Sequence, residues 1–336
     1  MGVNLREMIL KHRIELEDLK GKKLAVDAFN ILYQFLSTIR QQDGNLLTDN
    51  KGNVTSHLSG FFYRTINLLE AGALPCFVFD GKAPEEKVRV QESRESIREE
   101  ARKKFAEALE KEDLEEARKY AQQTSKLTRE MISESKELIS AMGLPWVQAP
   151  AEGEAQAAYM CRKGDVWAVA SQDYDSLLFA APRLVRNLTI SQRKKVAGKE
   201  AYTKTEIELI DLSETLNYLQ MDIEGFVRMG LLIGTDYNPG GVSGIGPKTA
   251  IKVIKEGKFD EYKSQIHGGA DKLKNLFLKP YICKDYDLDW KSPDIKKIKE
   301  ILVTRHDFSE ERIDSALKRI EAGVEKQKQK GLGEFT

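Results

Sequence analysis

The sequence predicts an α/β fold: a twisted, mostly parallel central β-sheet with helices on both faces. Short apolar runs near 23–27, 75–79, 166–170 and 184–188 have the length and composition of buried strands. Helical patterns at 54–71, 130–142 and 153–163 lie between them. Strands that alternate with helices argue for a parallel sheet. A third observation says what the sheet presents. Acids stand at the edges of the apolar runs: Asp27 after KKLAV, Asp80 after CFVF, Asp173 and Asp175 after VWAVASQ, and Asp236 after LLIGT. Glu152 and Glu154 join them in PAEGEAQ.

One acid after a strand is ordinarily a helix N-cap or a turn residue. Asp43, Asp49 and Asp165 fit that description. The repetition of the pattern points further. Each run reads as a strand whose C-terminal end delivers a charge, and ligands of open α/β sheets bind outside those ends. Asp173 and Asp175 are two residues apart, so in extended chain both point the same way. Glu152 and Glu154 follow Pro150 and precede AQAAYM, which places them in the first turn of a helix, where the dipole favours anions. Seven acids gathered in one place repel one another. Divalent cations relieve that repulsion, and hard oxygen ligands suit Mg²⁺ or Mn²⁺. A pair of such ions about 3.5–4 Å apart activates water and stabilises the attacking and leaving oxygens when a phosphate ester is cleaved.

Composition narrows the alternatives. The chain has 336 residues and is 41% hydrophobic, enough for one large or two ordinary domains with a sizeable core. No apolar run approaches the ~18 residues of a membrane span, and the charged first twenty residues hold no signal-peptide core, so an intracellular, non-secreted protein is expected. Cys76, Cys161 and Cys283 are far apart, so buried free thiols are expected rather than disulfides or zinc. Lys and Arg number 53 and Asp and Glu 53, so nucleic-acid binding would have to rest on local patches.

Three segments supply such patches. Residues 82–136 are highly charged, with few apolar positions, and read as two helices standing away from the core. Lys87, Arg94, Arg98 and Arg102 fall on one helical face there, with Glu95 and Glu99 as candidate ion-pair partners. Residues 183–209 read as a basic hairpin. The turn Gly244-Ile245-Gly246-Pro247-Lys248 feeds a helix carrying Lys252, and such a turn and helix start form an anion site. Pro247 breaks the P-loop spacing, which leaves a helix-hairpin-helix-like contact to a nucleic-acid backbone. The last fourteen residues read as a mobile tail in which Gln329, Leu332 and Phe335 stand at spacings of three.

Taken together these residues resemble the flap endonuclease family of 5′-structure-specific nucleases. VDAFNILYQFL, TSHLSGFFYRTI, FVFDGKAP, PAEGEAQAA, SQDYDSLLF, LLIGTDY and GIGPK look like the family's blocks in the family's order, across almost the whole chain. The resemblance implies a 5′ flap endonuclease with 5′–3′ exonuclease activity in DNA replication and repair. It implies one metal among Asp27, Asp80, Glu152 and Glu154, and a second at Asp173, Asp175 and Asp236. Lys87 and Arg94 would contact the scissile phosphate, and Tyr33 would stack the nucleotide beside the cut. Gly2, Arg40, Arg64 and Gly234 match substrate-contacting positions, Gly2 as the mature N-terminus. Gly244, Gly246, Lys248 and Lys252 belong to the turn and helix that would hold downstream duplex with a monovalent cation such as K⁺.

The resemblance also implies an organisation. Residues 1–98 form an N-terminal nuclease region and 99–115 the linker of a helical arch, which spans about 82–130 over the active site. Residues 116–258 form an internal region with the helix-hairpin-helix-like motif at about 236–256. Residues 259–322 complete the core, and the tail 323–336 carries a motif at 329–336 for the sliding clamp PCNA. The compact tail looks archaeal, implying a cytoplasmic monomer, or a nuclear one in a eukaryote. Two departures stand out: YNPGGVS is one residue longer than the family pattern, and Thr336 replaces the second aromatic of the clamp motif. Three other readings use parts of the same sequence. A haloacid-dehalogenase-type phosphatase would use Asp173 and Asp175 but leave the other acids unexplained. A catalytically dead scaffold would not need the acids intact. The same chemistry would also suit RNA or gapped duplex.

Overall fold

The computed structural model describes residues 3–82, 84, 87–111, 113–188, 193–195 and 202–319. In chain order its strands are β1 (His12–Ile14), β2 (Lys23–Asp27), β3 (Leu74–Phe79), β4 (Trp146–Gln148), β5 (Ala168–Ala170), β6 (Arg183–Arg186), β7 (Arg193–Lys195), β8 (Tyr202–Lys204) and β9 (Ile207–Asp211). A 7-stranded sheet has the order β1-β9-β6-β5-β2-β3-β4. The neighbours from β4 through β6 are parallel, while β9 runs antiparallel to both β6 and β1.

Chain order explains where a ligand can bind. From β2 the chain steps outward to β3 and β4 on one side. It then returns to lay β5 against the other side of β2. The direction of winding reverses there, and a crevice opens at the C-terminal ends of the strands. Alternation within each strand builds two cores. Ala25, Cys76, Val78 and Val169 enter one, with Phe226, Leu231 and Phe277. Leu24, Val26, Phe77, Phe79 and Ala168 enter the other, with Phe35, Phe61 and Leu138. Helices therefore cover both faces, as expected.

The helices are α1 (Ala28–Thr38), α2 (Ser56–Glu70), α3 (Val88–Glu110), α4 (Leu114–Ala121), α5 (Arg129–Ala141), α6 (Gly153–Lys163), α7 (Asp175–Leu178), α8 (Leu212–Leu219), α9 (Ile223–Ile233), α10 (Pro247–Lys255), α11 (Phe259–Tyr262), α12 (Ala270–Leu278) and α13 (Ile295–Lys299). A π-helical turn at Glu300–Arg305 and a helix over 310–319 follow. The charged segment forms α3 and α4. Ala101, Ala108 and Ala121 are buried there, yet they belong to neither core. The basic hairpin is present as β7 paired antiparallel with β8. Cys76 and Cys161 are buried thiols, and Cys283 is half-buried.

Two local expectations fail. LLIGT is not a strand: it closes α9, where Phe226, Val227, Met229, Leu231 and Leu232 are all buried. A helix sunk in the core is apolar nearly all round, so its sequence imitates a buried strand. Asp173 and Asp175 are not in extended chain either. β5 stops at Ala170, a bend follows, and Asp175 opens α7. β4 and β1 escaped notice because their sequences, WVQ and HRI, are short and interrupted by polar residues, so they leave no apolar run.

Candidate active site

The crevice collects the acids. Asp27 ends β2 and caps α1, its Oδ1 accepting the Asn30 N–H at 3.0 Å. Asp80 follows β3, and its Oδ1 accepts the Gly153 N–H at 2.6 Å, which ties strand end to helix start. Glu152 stands at the N-cap of α6 and Glu154 in its first turn. The Ser171 hydroxyl lies 3.2 Å from Glu154 Oε1 and 3.4 Å from Asp27 Oδ2, and it accepts the Asp173 N–H at 3.2 Å. Asp173 Oδ2 accepts from the Asn30 side-chain amide at 3.0 Å. Asp175 Oδ1 accepts the Val3 N–H at 2.7 Å. Asp236 lies past the C-terminus of α9, 3.8 Å from Lys87 Nζ.

The charges register their confinement. Burial pushes Asp27 up to about 8, reinforced by repulsion from Asp80, Asp173 and Glu152 and opposed by the Asn30 N–H. Burial and Glu152 hold Asp80 near about 6. Burial, Asp236 and Asp173 hold Asp175 near about 7, while the Val3 N–H and Lys87 pull the other way. Glu154 is raised well above its ordinary value by burial and by Asp175, Asp27 and Asp173. These pairwise repulsions link all seven acids into one site.

Lys87 is the cation inside it. Its ammonium is ion-paired with Glu152 and lies 5.0 Å from the centre of the Tyr237 ring. Burial alone would lower the lysine's pKa, but Glu152, Asp236 and Glu154 outweigh it and raise the value. Among the described residues no three ligand side chains converge closely enough to hold one ion as they stand. The donor chemistry nevertheless suits a hard divalent cation: every candidate ligand is a carboxylate oxygen, and burial beside one another raises four of the acids.

The remaining candidates are more scattered. Tyr33, on α1, carries the Arg98 guanidinium 5.6 Å over its ring, so the charged helix α3 rests on α1 there. Arg94 lies in α3, seven residues after Lys87, and only its backbone is described. Arg40 donates to the Gly44 carbonyl at 2.8 Å and the Ser125 hydroxyl at 3.0 Å, while its buried Nε has no hydrogen-bond partner among the described residues. Arg64 is half-buried in α2, and burial lowers its pKa. Gly234 caps α9 at φ +112°, and a Cβ there would lie 2.6 Å from the Gly241 nitrogen, so no other residue fits. Gly244 has φ +79°, Gly246 caps α10 and Pro247 begins it. Lys248 and Lys252 are exposed on that helix, Lys252 3.7 Å from Glu256. Gly2 and the tail residues Gln329, Leu332 and Phe335 lie outside the described residues.

Asn30 and Ser171 went unnoticed in the sequence. The available signal was position: Asn30 is three residues after Asp27, and Ser171 two before Asp173. Neither spacing is rare enough to single out a residue.

Comparison with known proteins decides the family. The XPG N-terminal domain matches residues 1–101 and the XPG I-region residues 143–236. The chain is 53% identical over 334 residues to flap endonuclease 1 of Pyrococcus abyssi, covering 99% of this chain and 97% of that protein. The chain belongs to the flap endonuclease family. A solved flap endonuclease-1 from Methanococcus jannaschii matches with a TM-score of 0.78 and 44% identity, covering 97% of this chain and 100% of that one. The catalytic core of Rad2 in complex with DNA substrate matches with a TM-score of 0.67 and 26% identity, over 92% of this chain and 96% of that one. As a flap endonuclease the chain is a nuclease, a metal-dependent hydrolase of DNA phosphodiester bonds. The phosphatase and inert-scaffold readings fall away.

Proposed function

We propose that this flap endonuclease holds two Mg²⁺ ions, or Mn²⁺, among its seven crevice carboxylates, and with them cleaves the phosphodiester at the base of 5′ flaps. The reading extends to 5′–3′ exonuclease activity and to the processing of Okazaki fragments and repair intermediates. The observation that carries it is the gathering of Asp27, Asp80, Glu152, Glu154, Asp173, Asp175 and Asp236 in one crevice with the half-buried Lys87 among them. Asp27, Asp80, Glu152 and Glu154 are the candidate ligands of one ion, and Asp173, Asp175 and Asp236 of the other. When bound, the ions would activate water and offset charge on the attacking and leaving oxygens.

The chain's own groups do the rest. Asn30, Ser171, Gly153 and Val3 fix the carboxylates by hydrogen bonds, so the ligands are oriented in advance. Lys87, and Arg94 beyond it, add positive charge where the phosphate gains negative charge. Tyr33 offers a stacking face to an unpaired base. The Gly244–Gly246 turn and the start of α10 aim backbone N–H groups at a duplex phosphate, with Lys248 and Lys252 beside it and a K⁺ ion as a candidate companion. Arg40, Arg64, Gly2 and Gly234 are further candidate contacts. Among the described residues no base-reading helix is evident, so selection would rest on the shape of branched DNA. The tail motif Gln329, Leu332 and Phe335 would dock on PCNA, and the nuclease would act as a monomer.

The test is end-labelled double-flap DNA, with and without Mg²⁺, mapped to the nucleotide. A Mg²⁺-dependent cut at the flap base is expected. A cut elsewhere, or one that persists in EDTA, overturns the reading.

A further inference from the structure

We propose that Arg186 of β6 is a positioning residue for Asp173 and Asp175, a role that rests on the two-metal reading above and deepens it. Both acids hang on a short connection. β5 ends at Ala170, residues 172–174 form a bend, and α7 begins at Asp175. Asp173 sits inside the bend and Asp175 at its far edge, so a rotation of the bend moves both carboxylates. Neither strand nor helix geometry fixes these three residues, which leaves the task to side chains.

Arg186 reaches the bend from the neighbouring strand. Its Nε donates to the Gln172 carbonyl at 3.0 Å. Its Nη1 donates to the Tyr174 hydroxyl, and to Glu208 Oε2 at 2.8 Å. The guanidinium carbon lies 4.0 Å from the centre of the Tyr174 ring. One rigid, planar group therefore grips the residues on both sides of Asp173. Tyr174 is buried, and the Arg186 side chain is only 16% exposed, so packing keeps the grip in place.

A plain cross-strand ion pair does not account for this arrangement. Arg186 and Glu208 stand directly opposite each other in the register of β6 and β9, which explains their own contact. The bonds to positions 172 and 174 need a further reason. Glu208 anchors the guanidinium, and Lys11 completes the cluster, 3.6 Å from Glu208 and 5.7 Å from the Tyr174 ring centre. Arg183, also on β6, supplies a contrast. Its Nη1 donates to the Trp167 carbonyl at 2.8 Å, and its guanidinium lies 5.4 Å from a Trp167 ring centre. That similar grip falls at the start of β5, the opposite end from the acids. Both ends of β5 are thus clamped, and Arg186 clamps the one that leads into candidate metal ligands.

The experiment uses the full chain and measures Mn²⁺ binding without DNA, by the electron paramagnetic resonance of the free ion. Asp173→Ala marks the binding that depends on the bend. Arg186→Lys keeps a charge beside Glu208 but loses the fork. It should weaken that binding about 10- to 100-fold, the usual loss on removing a group that orients metal ligands. The Mg²⁺ titration of flap cleavage should shift by a similar factor, with most of the rate recovered at saturating Mg²⁺. Tyr174→Phe should shift both in the same direction by less, and combining it with Arg186→Lys should cost less than the two losses together. Arg183→Lys should lower the melting temperature and leave Mn²⁺ binding unchanged. Unchanged Mn²⁺ binding in Arg186→Lys, or an equal loss in Arg183→Lys, would overturn the role. So would a rate loss that saturating Mg²⁺ leaves in place. Where Arg186→Lys does not fold, Tyr174→Phe decides, and binding equal to that of the unaltered protein overturns the role. Mn²⁺ binding that weakens as expected, in a protein that does not cut flaps, would keep the role of Arg186 and overturn the nuclease reading instead.

Discussion

The Lys87 ammonium is paired with the Glu152 carboxylate and also stands 3.8 Å from Asp236. It therefore spans two acids that lie 84 positions apart in the sequence (236 − 152), partly neutralising both. On the function proposed above, a cation in that position would have two uses: it would steady the acids in the absence of metal, and it would offer its charge to a phosphate once metals held the acids.

Lys87→Met should separate the two uses. In EDTA its melting temperature should fall below that of the unaltered protein, because Glu152 loses its partner inside a repelling cluster. Saturating Mg²⁺ should narrow the gap. Single-turnover cleavage in Mg²⁺ should still drop by about 10²–10³-fold, the usual loss on removing one charge-stabilising donor. Thermal melts and rapid-quench kinetics on flap DNA check both halves, and a normal rate would remove Lys87 from the chemistry.

Metal-free stability should depend on pH in the opposite sense to an ordinary salt-bridged protein. Asp80, Asp175 and Asp27 are raised to about 6, about 7 and about 8. Their unfolded value is near ~3.9. Between those limits the folded protein binds more protons than the unfolded one, so stability is highest near pH 4 and declines as pH rises towards 8. Mg²⁺ should replace the protons and flatten the decline. Melting curves from pH 4.5 to 8.5, in EDTA and in Mg²⁺, test this. A rising curve in EDTA would contradict the burial of the acids.

Asn30 should prove to be a positioning residue for the metals. Its amide donates to Asp173 and its side-chain oxygen accepts the Gln172 N–H at 3.3 Å, while the bond to Asp27 comes from its backbone. Asn30→Ala should weaken the apparent Mg²⁺ affinity about 10- to 100-fold and recover most of the rate at high Mg²⁺. A Mg²⁺ titration of the cleavage rate separates this from loss of a catalytic group, which added metal would not rescue.

Asp173→Ala and Asp175→Ala should reduce cleavage by orders of magnitude yet leave flap binding in Ca²⁺ largely intact, because affinity rests on phosphate contacts elsewhere. Gel-shift assays in Ca²⁺ beside cleavage in Mg²⁺ give the comparison. Binding that collapses in step with the rate would make these acids structural.

Deleting residues 329–336 should abolish stimulation by PCNA and leave clamp-free cleavage unchanged. Ordering a tail costs entropy, and Thr336 buries less surface than an aromatic, so the isolated contact should be weak. Tethering would supply the advantage by raising local concentration. Equal stimulation of the full-length and truncated proteins would place the docking site elsewhere.

What the sequence determined by itself was local. Asp27 and Asp80 were legible because a strand buried on both faces is a short apolar run, and its end is marked by the first charge. Glu152 and Glu154 were legible from the proline and the alanine-rich helix around them. The same rule misread the chain before Asp236, since a helix apolar all round leaves the same trace as a strand. Tertiary structure alone decided which ends meet. The laying of β5 against β2 brings Asp173 to Asn30, and the passage of α9 across the crevice brings Asp236 to Lys87. The two hydrogen bonds of the Cys283 backbone with the Gln156 side chain tie the 280–283 segment to α6. Periodicity records which face of an element is buried. The partner it is buried against is chosen by contacts between residues more than a hundred positions apart, and those leave no spacing to read.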